Sequence, residues 1–211
     1  MNFLSRSLSG LVLLALLAPF PAQAERYRVD LILFADRSAA AGEVTVPLVT
    51  PNLANAIEPF ETGKLRAAGI EMLPDESFGL MDAWNHLRNS KNHQPLLRLA
   101  WLQQDPPAER GVPLHLHTGE PFSHLMPAGS SGIYPVDGTI ALLGGRFLHF
   151  DAELVYTQEV SGDLRSFHLK ERRRVKRDEL HHIDSPRLGL LVRAQRVDEK
   201  GGVKPSPKKK R

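Results

Sequence analysis

Residues 27–34 (YRVDLILF) alternate so that Tyr27, Val29, Leu31 and Leu33 share one side of an extended chain, while Ile32 and Phe34 occupy the other and Asp30 interrupts it. Period-two alternation predicts a strand. Residues 35–74 then hold Gly42, Pro47, Pro51, Pro59, Gly63 and Gly69, which leaves room for an irregular excursion with a short helix. A loop of that length in a compact domain marks a lid or a partner surface. Further on, Leu80, Met81, Trp84 and Leu87 form one helical stripe, and Asp75 or Ser77 is placed to cap a helix running to about Asn89. Trp84, set inside that stripe, is expected in the core rather than as a sugar platform.

Residues 94–103 (QPLLRLAWLQ) return to strand periodicity, and near-continuous apolarity predicts cover on both faces. Residues 112–118 (VPLHLHT) put Leu114 and Leu116 on one face and His115 and His117 on the other. After a Gly/Ser/Pro-rich loop at 122–137, residues 138–143 and 146–156 read as two strands joined by a tight turn at Gly144 and Gly145. Leu148, Phe150, Ala152, Leu154 and Tyr156 share a face of the second. Ser161-Gly162 suits a two-residue hairpin loop, since glycine tolerates positive φ. That turn sets a register in which paired numbers sum to 323: Leu154 with Leu169, Glu153 with Lys170, Asp151 with Arg172, His149 with Arg174. Apolar meets apolar and acid meets base, each pair contributing roughly 0.2–1 kcal/mol. Arg173 is expected to lie over the Phe150 ring. Residues 188–197 supply the last strand, so the fold class is α+β, a mostly antiparallel sheet with at least one packed helix.

Composition divides the chain into three. Arg6, the apolar run 11–17 and the small-residue site Ala22-Gln23-Ala24 match a secretory signal peptide, 1–24, with cleavage after Ala24. The run is shorter than the roughly 20 residues of a membrane span, and no later segment approaches that length. Residues 25–197 form the expected single domain, and 198–211, rich in Lys, Gly and Pro, a disordered basic tail. The absence of cysteine leaves neither a disulfide framework nor a lipidated N-terminal cysteine. A periplasmic location follows. With Arg6, the six tail cations and the tail's two acids set aside, 25–197 carries 20 cations against 22 anions, so its charge gives no support to nucleic-acid binding.

Candidate chemistry concentrates in 167–192 (FHLKERRRVKRDELHHIDSPRLGLLV), where cationic charge continues past Arg172 after the acidic partners run out. His115 and His117 form a possible two-ligand metal element, although a solvated polar face is the commoner meaning of His-x-His. Their obvious complement is His181, His182 and Asp184. A paired-carboxylate glycosidase is weaker, because Asp151 and Glu153 sit on one strand opposite cations.

The order of YRVDLILF, LLRLAWLQQ, GTIALLGGRFLHFDAELVY and the 167–192 stretch resembles the CsiV family of periplasmic peptidoglycan-binding proteins. Its sharpest part is Glu171-Arg172-Arg173-Arg174 followed by residues 179–186 (ELHHIDSP). The resemblance implies a non-catalytic protein, without cofactor, that binds peptidoglycan and supports wall synthesis through an outer-membrane lipoprotein activator of a class A penicillin-binding protein. Stem-peptide carboxylates suit arginine forks. Charge and position then single out Arg172, Arg174, His181, His182 and Arg187 as ligand-binding residues, with no catalytic or metal-binding residue among them. The alternatives are a metal-dependent periplasmic hydrolase using the His-x-His and His-His-x-Asp elements, or a protein-interaction module without wall binding.

Overall fold

A computed structural model describes residues 25–38, 48–125 and 132–197. The expected leader 1–24 and basic tail 198–211 lie outside the described residues, as does part of the 35–74 excursion.

Among the described residues, nine strands form two antiparallel sheets. The first contains β1 (Arg26–Asp36), β2 (Ile70–Met72), β3 (His93–Gln104), β8 (Leu180–Asp184) and β9 (Leu188–Val197), in the order β2-β3-β1-β9-β8. The second contains β4 (Leu114–Thr118), β5 (Val136–Leu143), β6 (Leu148–Val160) and β7 (Asp163–Val175), in sequence order. Only two short helices accompany them among the described residues, α1 (Thr62–Ala67) and α2 (Met81–Arg88), so the molecule is mostly antiparallel sheet with small helical additions.

The central strand β1 shows why two layers are needed. Tyr27, Val29, Leu31 and Leu33 face the second sheet and join Trp101, Phe150, Leu154, Leu190 and Val192 in one buried cluster. Trp101 and Phe150 meet across the interface with ring centroids 6.1 Å apart. Ile32 and Phe34, on the opposite face of β1, pack instead with Phe78, Leu80, Leu87 and Ala100 beneath α2. Each large side chain so buried contributes roughly 1.5–3 kcal/mol relative to exposure.

The β6–β7 hairpin has the expected register, from Val160 opposite Asp163 to His149 opposite Arg174. Ser161 and Gly162 both have positive φ, 56° and 85°, which matches the turn to the strand twist. Two expectations about its side chains need correction. Lys170 does pair with Glu153, at 3.0 Å, but Arg172 sends Nη2 toward the Glu109 carbonyl, 3.5 Å away, rather than to Asp151. Arg173 does not cover Phe150, which is wholly buried; its guanidinium donates to Glu171 Oε1 at 2.6 Å and to the His182 carbonyl at 2.7 Å. A short planar fork meets two acceptors there and ties β7 to β8, which outweighs contact with a ring already enclosed by apolar atoms.

The helix also begins later than expected. Asp75–Ser77 make a single 3-10 turn, α2 starts at Met81, and no side chain among the described residues caps either. Asp75 is taken by Arg98 of β3, whose guanidinium also lies 4.8 Å from the half-buried Trp84 ring. Gly79 is held from both sides: its N–H donates to Asp30 Oδ1 at 2.7 Å and its carbonyl accepts from Arg193 at 2.9 Å. The chain is thus fixed in a non-helical path until Leu80. The excursion contributes α1, the edge strand β2, which pairs with β3, and a parallel bridge from Ile57 to Leu114.

Candidate functional site

Alternation along the second sheet sends Leu148, Phe150, Ala152 and Leu154 inward and therefore presents His149, Asp151 and Glu153 of β6 on the outer face. Register adds Thr139 and Lys170 beside Glu153, and Ala141 and Arg172 beside Asp151. Residues 109–111, Pro113 and Asn52 wall off a cleft of about 260 Å3 over this face, lined also by Asp151, Glu153 and Thr139. Arg172 stands at its border, through its contact with Glu109. One pleat further, the Arg174 guanidinium carbon lies 3.3 Å from the centroid of Phe147, an exposed ring that Arg146 also approaches at 5.4 Å. Cation and ring together form a flat, half-apolar surface. Carboxylates can accept from hydroxyls and amides, arginines can hold carboxylates, and an exposed ring face offers an apolar platform beside them.

The five residues singled out from charge and position do not converge. Arg172 and Arg174 share the outer face of β7. His181 accepts the Lys176 N–H at Nε2, 2.9 Å away, and so closes the β7–β8 turn. The His182 ring stacks on Phe34, with centroids 5.7 Å apart. Arg187, in the β8–β9 turn, lies over the Phe167 ring at 5.5 Å. The inward-facing Arg173 reaches the His182 carbonyl, which places β8 on the side of β7 opposite Arg172 and Arg174.

His115 and His117 do share a face of β4, but their complement is not His181, His182 and Asp184. Those residues belong to β8, the edge of the other sheet. Glu58, from the excursion, is hydrogen-bonded to His115 Nδ1, and Asp137 of β5 lies 2.7 Å from His115 Nε2. Glu58 Oε2 is 3.8 Å from His117 Nε2. Burial works against a charged His115 ring, but the hydrogen bonds to Glu58 and Asp137 outweigh it and hold the pKa above the ordinary imidazole value. His117 is flanked by Tyr134, with ring centroids 4.4 Å apart. Spacing alone locates the histidine pair, whereas neither Glu58 nor Phe147 belongs to a pattern that marks it in advance.

No curated protein and no solved structure shows significant similarity to the chain. Residues 7–197 match the model of the family described as peptidoglycan-binding protein, CsiV, and the match ends at the last residue of β9. A match over that much of the sequence places this chain in the CsiV family of peptidoglycan-binding proteins.

Proposed function

We propose that this chain is a non-catalytic periplasmic protein that binds peptidoglycan and supports wall synthesis through an outer-membrane lipoprotein activator of a class A penicillin-binding protein. Family membership supports wall binding, and the leader-like 1–24 supports export. The observation that carries a particular surface is the pairing of Arg174 with exposed Phe147, one pleat from Arg172 and the cleft containing Asp151 and Glu153. In this reading Arg172 and Arg174 hold stem-peptide carboxylates and the Phe147 ring covers a sugar face. His181, His182 and Arg187, on the other side of β7, form a secondary contact.

The test is co-sedimentation with purified sacculi, comparing the mature chain, an Arg172→Ala/Arg174→Ala variant and a chain ending at Val197. Wild type and truncated chains should pellet alike, and the double variant should lose about tenfold or more in affinity, given roughly 1.5–3 kcal/mol for charged hydrogen bonds. No pelleting of wild type at low salt overturns wall binding; loss confined to the truncated chain assigns binding to the tail. Muropeptide release during the incubation would overturn the non-catalytic role. Capture of the lipoprotein activator by the immobilised chain, with and without wall fragments, tests the partner.

A further inference from the structure

We infer that Glu58, His115 and His117 form a three-ligand site for a divalent transition metal, zinc by its donor set, with Asp137 orienting His115 from behind. One ligand atom from each of the three residues lies within 4.8 Å of the others. Zinc requires donors at roughly 2.0–2.2 Å, hence roughly 3.3 Å from one another in a tetrahedron, so small side-chain rotations close the set. Two imidazoles and a carboxylate are a common zinc donor set, and the fourth position is left for water or a ligand.

Three further features favour a metal over a simple ion pair. Glu58 Oε2 is buried without a hydrogen-bond partner among the described residues and faces His117 Nε2 at 3.8 Å. A buried carboxylate oxygen in that state is costly unless a cation or donor reaches it. His115 uses Nδ1 toward Glu58 and Nε2 toward Asp137, so replacing the Nδ1 proton by a metal leaves Nε2–H donating to a carboxylate, the usual second support of a ligating histidine. A cleft of about 340 Å3, walled by Leu97, Leu99 and exposed Phe60, opens onto the three ligands. Metal binding there would fasten the excursion to β4 next to Phe60.

The inference is independent of wall binding and is tested on untagged, mature protein stripped with chelator. Equilibrium dialysis against ZnCl2 should give one saturable zinc per chain, and thermal unfolding should shift upward with zinc. Cobalt(II) should give the visible absorption of a four-coordinate site. His117→Asn and Glu58→Gln should abolish the site, and Asp137→Asn should weaken zinc about 10–100-fold. A His181→Ala/His182→Ala variant should bind as wild type does. Absence of saturable binding by wild type overturns the inference, as does affinity unchanged in both His117→Asn and Glu58→Gln, or loss in the His181/His182 variant alone. The wild-type cobalt spectrum decides the matter even where a ligand variant fails to fold.

Discussion

Asp30 is wholly buried in the middle of β1, yet donors reach it from three places. Arg28 lies 3.0 Å away along the same strand, Arg193 lies 3.3 Å away from the cross-strand position on β9, and the Gly79 N–H donates at 2.7 Å. Removing the carboxylate leaves two partly buried guanidinium groups without their counter-charge, with the Ser77 and Gly79 carbonyls still accepting from them. Asp30→Ala is therefore expected to lower unfolding free energy by about 3–5 kcal/mol in urea denaturation, whereas Asp151→Ala, exposed and without an ion pair among the described residues, should cost under about 0.5 kcal/mol. Tyr27 is the other buried polar residue of β1 with a measurable signature. Burial first, and its hydrogen bond to Glu25 second, push its phenol up from 10.0 to about 12. The folded state thus keeps a proton that the unfolded chain has lost, so this contribution to stability is complete below about pH 10 and disappears as pH rises through about 12. Unfolding free energies measured across that window should fall less steeply for Tyr27→Phe than for wild type. A smaller decline should remain from Tyr156, whose phenol burial also raises. An equal slope in both proteins would contradict the assignment.

Among the elements, the β6–β7 and β8–β9 hairpins differ in how much of their geometry is local. The first was legible in full register, because a two-residue Ser161-Gly162 turn and complementary pairs such as Glu153 with Lys170 are close in sequence. Ser161 at φ 56° is nonetheless an L-residue in the left-handed region. Ser161→Asn should stabilise the hairpin by up to about 1 kcal/mol, seen as a higher Tm with unchanged binding. The second hairpin depends on a distant ring. A Cβ at Gly189 would stand 2.2 Å from the Phe34 ring, which lies flat against β9 and stacks with His182. Gly189→Ala is expected to cost about 1–3 kcal/mol through overpacking, and Phe34→Leu in the same chain should recover part of it. The helix shows the same dependence. Three residues of its expected stripe, Leu80, Trp84 and Leu87, do pack against the sheet, but Met81 is exposed, and the start of the helix was not readable, since Asp75 and Gly79 are claimed by Arg98, Asp30 and Arg193.

For the whole molecule, two sheets share one buried layer, α2 covers the far face of the first, and the outer side of the second carries two regions of different polar chemistry. The β6–β7 face offers arginines, acids and the Phe147 ring; the β4 edge offers the Glu58–His115–His117 cluster. If Arg172 and Arg174 hold stem-peptide carboxylates, raising ionic strength from about 0.1 to about 1 M, which shortens the screening length from about 10 to about 3 Å, should weaken sacculus pelleting steeply. A zinc titration under the same conditions should respond far less, because coordination bonds are short and partly buried. By itself the sequence determined the strand periodicities, the hairpin register and the family, all of which rest on order and spacing along the chain. Tertiary structure alone decided which carboxylate meets His115, where Arg172 and Arg173 reach, and that His181, His182 and Arg187 stand apart from Arg172 and Arg174. The physical reason is reach: a side chain takes the best-placed partner within a few ångströms, and packing the two sheets sets which partners those are.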